Sequence, residues 1–146
     1  RYRNMNLKKQ LASFAVVGML GVAAATSAFA AGVGYVNFDA LIQGHKNYPK
    51  AEAQFQAAAK KASSEFASKS AKLQTDKEKQ ELYIQMNKDL IKLQQDLINP
   101  IEGDVVKKIE QDRQAKGLDA IVLQGAIISG AENAVDETLA VAALLK

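Results

Sequence analysis

From Lys50 to Lys116 the chain is one long glycine-poor run of Ala, Lys, Gln, Glu, Asp and Leu, flanked by short strand-like segments at Val33–Phe38 and Leu118–Ser129. This run predicts helix, and the flanking segments predict a small sheet. The expected fold class is therefore α+β: a small β-rich head with a long projecting antiparallel helical hairpin. The expected boundaries are residues 31–48 with 100–146 for the head and 49–99 for the hairpin.

The apolar pattern divides the run. Pro49 suits the first turn of a helix, where its missing N–H costs nothing. Ala51, Phe55, Ala58, Ala62, Phe66 and Leu73 then trace a shallow, Ala-rich stripe. Thr75-Asp76-Lys77-Glu78 has the S/T-x-x-E form of a capping box and predicts a new helix start. Beyond it Leu82, Met86, Leu90, Leu93 and Leu97 form a second face, with Ile84, Ile91 and Ile98 beside it at intervals of seven. Asn99-Pro100 predicts a kink. Ile101, Val105, Val106 and Ile109 then restore an apolar face, and Gly117 predicts a C-cap after Lys116.

The flanks read as strands. Val33-Gly34-Tyr35-Val36-Asn37-Phe38 is bounded by Gly32 and Asp39, and Asp39 is placed to cap a short helix from Ala40 to about Gly44. Leu118–Leu123 predicts a buried strand, Gln124-Gly125 a turn, and Ala126–Ser129 its hairpin partner. Residues 130–133 predict a loop, and Asp136 is placed to cap a final helix from Glu137 to Leu145.

The first thirty residues predict a secretory signal peptide. Lys8 and Lys9 precede an uncharged stretch, Leu11–Ala25, and Ala28-Phe29-Ala30 supplies the small residues of a cleavage site after Ala30. Met5 is the expected start, with Arg1–Asn4 upstream of it. Removing residues 1–30 leaves fifteen basic and sixteen acidic residues, so the high calculated pI of 9.1 belongs mostly to the leader. Nucleic acid is thus not an expected partner. The chain has no cysteine, which excludes disulfides, thiol catalysis and Cys-based metal sites.

No residue set carries a chemical step. His45 is the single histidine and reads as a solvated or turn-region residue. Gly32-x-Gly34 lacks the rest of a dinucleotide fingerprint, and Gly125–Gly130 lacks the Lys-Ser/Thr of a phosphate loop. Asp136 and Glu137 are adjacent carboxylates at a predicted helix N-terminus, which accounts for them without catalysis. Nothing assembles a nucleophile, a base and an oxyanion donor, so no enzyme, cofactor or metal is expected. From Lys50 to Asp96 there are nine basic and seven acidic residues, and up to Lys72 five against two. That imbalance reads as a solvated helix face, or as a mildly basic arm for anionic lipid or acidic partners.

Several short stretches, in order, resemble one family, the Skp/OmpH-type periplasmic chaperones. They are Gly34-Tyr35-Val36-Asn37, Tyr48-Pro49-Lys50-Ala51, Asn99-Pro100-Ile101, Lys116-Gly117-Leu118-Asp119 leading into Ala120-Ile121-Val122-Leu123, and Asp136-x-Thr138-x-x-Val141. The resemblance covers nearly all of Val33–Lys146. It implies a homotrimer whose strands join in a central β-body, with helical arms around a cavity. Unfolded outer-membrane proteins are held there without ATP, in the periplasm. It also raises contact with anionic lipid or lipopolysaccharide. Glu137 departs from the pattern by standing where the family usually has an apolar residue.

On this reading Phe55, Phe66, Tyr83, Ile84 and Ile91 are the candidate client-binding residues. Tyr35, Val36, Ile121, Val122, Leu123 and Ile127 are the candidate head and trimer core. Two other readings use the same stripes: a structural or adaptor coiled coil of the envelope, with the apolar faces as permanent contacts, and peripheral membrane binding through the second arm.

Overall fold

The computed structural model describes residues 32–146, so the expected signal peptide lies outside the described residues. These residues form two compact units. One is Pro49–Asn99; the other joins residues 32–48 to Pro100–Lys146. Three strands, long helices and short helices make a mixed α+β chain.

The head unit is built on strand β1, Val33–Val36. Strand β2, Ala120–Leu123, pairs with it in parallel, matching Val33 to Ala120 and Val36 to Leu123. Strand β3, Val135–Asp136, pairs in parallel on its other side, giving the order β2-β1-β3. Parallel pairing needs a long crossover, and the helical run between β1 and β2 supplies it.

The sheet corrects the expected hairpin at Ala126–Ser129. After β2 the chain makes a short 3-10 turn, Gln124–Ala126, and Ile127–Ser129 joins no strand. The β-branched pair Ile127-Ile128 has the composition of a strand but finds no ladder. Ile128 is 99% exposed. The third strand is instead the two-residue β3, whose composition gave no signal.

Helix α1, Phe38–Gln43, starts one residue after β1. Its cap is Asn37, not Asp39: the Asn37 side chain accepts from the Ala40 N–H at 3.1 Å. The cap sits earlier than expected because Phe38 is already helical and buried. Asp39 falls in the first turn, where a carboxylate meets the positive helix end. The final helix α4, Thr138–Leu144, follows β3, and Asp136 Oδ1 accepts from its Thr138 N–H at 3.0 Å. Helix α1 packs on α4. Leu41, Ile42, Val105, Val141 and Leu145 are the most deeply buried large side chains of this unit. Each contributes roughly 1.5–3 kcal/mol by burial.

Helix α2 spans Tyr48–Ser70 and helix α3 Asp76–Lys116. The break between them is the capping box. Thr75 Oγ1 accepts from the Glu78 N–H at 3.2 Å, and Glu78 Oε2 accepts from the Thr75 N–H at 2.9 Å. Pro100 lies inside α3 without ending it. Gly117 does end it, with φ +64°. The Gly117 N–H donates to Gln114 O and the Leu118 N–H to Arg113 O, the paired bonds of a Schellman cap. A side chain at that φ would be strained.

Within the Pro49–Asn99 unit, Phe55, Ala59 and Leu90 form a small core, with Ala58, Ala62, Leu93 and Leu97 packed against it. Phe66 and Tyr83 meet edge to face, with ring centroids 6.0 Å apart. Alanines on α2 let the helices come close but bury little area.

Candidate interaction surfaces

On the helical unit, α3 turns two kinds of residue in different directions. Leu90 is buried and Leu82, Met86, Leu93 and Leu97 are half-buried. Ile84 and Ile91 are 45% and 47% exposed. Seven residues is close to two turns, so both lie on one side of the helix. Ile98, the third of that row, is buried. Phe55 is 7% exposed and belongs to the core, so it cannot serve as an open contact residue while the core is closed. Phe66 and Tyr83 are half-buried and occupied with each other.

A shallow groove of about 340 Å³ runs over Ala58, Ala62, Met86 and Leu90. Glu65 sits on its rim between Lys61 at 3.8 Å and Lys69 at 3.5 Å. These exposed i,i+4 pairs share one carboxylate between two ammonium groups, which leaves them with one net positive charge, and add little stability.

On the head, register sorts the sheet into two faces. Paired residues share a face, so Gly34, Val36, Ile121 and Leu123 lie together, as do Val33, Tyr35, Ala120 and Val122. Gly34 and Val36 are buried, whereas Val33, Tyr35, Ala120 and Val122 are half-exposed. Parallel sheets normally have both faces covered; here β2 is only half-buried on both of its faces, and Val135, the partner of Gly34, is exposed. Of the expected head-core residues only Val36 is buried within this chain. Tyr35, Ile121, Val122, Leu123 and Ile127 are half-buried. Val135 and Leu139 add exposed apolar surface at 52% and 85%. Among the described residues no further strand pairs with the outer edge of β2 or β3. A cleft of about 610 Å³ opens at the carboxyl ends of β1 and β2, between Phe38 and Ala126.

Sequence reasoning missed a buried ion cluster in the head. Glu137 is 3% exposed and Asp112 5%. Lys116 Nζ bonds Glu137 Oε2 and lies 3.1 Å from Asp112 Oδ1. The hydrogen bond to Glu137, then that to Asp112, holds the Lys116 ammonium above its ordinary pKa. Asp112 Oδ2 is buried without a protein partner. Glu137 is therefore not an ordinary helix-start carboxylate: its backbone N–H donates to Tyr35 O at 2.9 Å, and its side chain crosses β1 at Gly34. No local pattern in the sequence marks this carboxylate as buried, because its Lys116 partner lies 21 residues away. Nearby, hydrogen bonds from Arg113 and then Gln114 hold the exposed Glu110 carboxyl down at about 2.

His45 is also buried, at 3% exposure, which corrects the solvated half of its sequence reading. Nε2 lies 2.7 Å from Asp104 Oδ2, and Nδ1 accepts from the Asn47 N–H at 3.1 Å. The hydrogen bond from His45, with the charges of Lys108 and Lys46, holds the Asp104 carboxyl below its usual range. Among the described residues there is no group of three or more side chains suited to holding a metal ion. Nor is any helix among them long and apolar enough to cross a membrane. No protein-family model and no curated protein matches the chain.

Proposed function

We propose that this protein is an ATP-independent holdase for unfolded outer-membrane proteins, working in the periplasm as a homotrimer. The observation that carries the reading is the exposed Ile84–Ile91 face of α3, on a helical unit whose own core is only a few residues. Apolar side chains left half in water beside Lys and Gln offer many weak contacts. Summed over several arms, such contacts bind tightly without demanding one particular side chain.

In this reading α2 and the first half of α3 form an antiparallel hairpin. Support comes from the order of contacts: Phe66 meets Tyr83 near the 71–75 break, while Phe55 and Ala59 meet Leu90 farther from it. Trimerisation through the head is supported by the half-buried faces of β2 and the unpaired outer edges of β2 and β3. Exposed edges and apolar faces of this kind are normally covered by a partner.

The test is aggregation of a urea-denatured β-barrel protein diluted into buffer without nucleotide. The chain lacking residues 1–30 should suppress the aggregation at near-stoichiometric ratio and show a threefold mass by light scattering. A folded trimer that leaves aggregation unchanged would sink the proposal. Recovery of one folded partner, with unfolded chains ignored, would favour the adaptor reading instead.

A further inference from the structure

We propose that His45 is a proton-operated catch on the turn formed by residues 44–47, which leads into α2. The inference rests on the geometry of the head unit and does not depend on the holdase reading.

The roles of both ring nitrogens are fixed by their partners. A backbone N–H can only donate, so the Asn47 N–H at 3.1 Å requires a lone pair on Nδ1. The ring is then neutral and carries its proton on Nε2, which donates to the Asp104 carboxylate at 2.7 Å. The His45 backbone adds two more bonds: its N–H donates to Ile42 O and its carbonyl accepts from the Tyr48 N–H. The side chain is 2% exposed, so water cannot substitute for either ring contact without the turn opening.

Taking up one proton from solvent changes one of these contacts into a conflict. Nδ1–H would face the Asn47 N–H, donor against donor, while Nε2–H keeps Asp104. The charged groups around the ring pull in opposite directions. The Asp104 carboxylate on α3 favours the imidazolium. Lys108, on the same helix, and Lys46, in the turn, lie close enough to act on Asp104 and weaken that attraction. Asp104 is also 39% exposed at its side chain, so its charge is partly screened. The Nε2–H bond to Asp104 is made in either protonation state, so the cation stays paired there and it is the Asn47 N–H that loses its acceptor. Residues 44–47 rearrange so that this N–H reaches water, loosening the residues immediately before α2.

The test is NMR on the mature chain, labelled at histidine and backbone nitrogen. At the alkaline end of the His45 titration the ring should show the Nε2–H tautomer. Across that titration the Asn47 amide, corrected for intrinsic exchange, should lose up to about tenfold of its protection, as expected for one broken hydrogen bond. Asp104→Asn keeps an acceptor for Nε2–H but removes the charge. Whatever change it makes in the ring's protonation should be matched by the same change at Asn47. His45→Gln should abolish the pH dependence at Asn47. An Nδ1–H tautomer at the alkaline end, or Asn47 protection that ignores the ring's protonation in the wild-type chain, would overturn the proposal.

Discussion

Gly34 is a position where the head leaves no room for even one added carbon, and the cost is calculable. A Cβ placed there would lie 3.0 Å from Glu137 Cγ, 3.1 Å from Leu118 Cδ1 and 3.3 Å from Ile121 Cγ1. Carbon pairs prefer about 3.5–4.0 Å, so each neighbour must give by several tenths of an ångström. The two nearest, Glu137 and Leu118, are held in place. Strand β1 is paired on both sides. Glu137 is held by its backbone bond to Tyr35 and its carboxylate bond to Lys116. Leu118 is buried just after the helix cap. Gly34→Ala should therefore cost ~1–3 kcal/mol, the usual range for overpacking. For a chain of this size that lowers the melting temperature by roughly 4 °C per kcal/mol. The assay is urea and thermal unfolding at fixed protein concentration, since self-association would shift both. The sharper form is a double-mutant cycle with Glu137→Ala, which removes the nearest atom. The cost of Gly34→Ala should fall by about 1 kcal/mol or more in that background. Additive costs, or a neutral Gly34→Ala, would refute the claim that the Glu137 side chain occupies the space above the glycine.

Three further outcomes are expected. Ile42→Ala, at a position 0% exposed, should cost ~2–5 kcal/mol in urea unfolding. Thr75→Ala removes the hydroxyl that caps α3 and should cost about 1 kcal/mol, with faster amide exchange confined to the first turn after Asp76. The Glu110 carboxyl should titrate at about 2 by carbon NMR, against an ordinary 4.5. Because the folded value is depressed, its contribution is present above the ordinary value and is lost as pH falls toward about 2. Arg113→Gln should raise that titration toward the ordinary value.

Local rules carried the helices. The capping box at Thr75–Glu78 and the C-cap at Gly117 depend on residues three to five apart, so sequence alone places them. The sheet was less legible. Strand β1 has the expected composition, but its partner β2 begins at Ala120, beyond the whole helical run, and two-residue β3 has no composition of its own. Ile127-Ile128 carries strand propensity without strand pairing, because propensity reports fitness for a ladder and not the presence of one. The same limit applies to burial. Ile84, Ile91 and Ile98 share one heptad-like row, yet only Ile98 is buried. Glu137 and His45 look like surface residues until Lys116 and Asp104, 21 and 59 residues away, are brought to them. A buried polar side chain is set by its partners, and partners distant in sequence leave no periodic trace.

The central claim is that the exposed face of α3 binds unfolded chains. It is tested most directly by the double variant Ile84→Ser, Ile91→Ser in the aggregation assay, beside its unfolding midpoint and solution mass. Both residues are about half exposed, so stability should stay within ~0.5 kcal/mol of wild type, with the mass unchanged. Suppression of aggregation should fall substantially. Full suppression by the folded double variant would contradict the account.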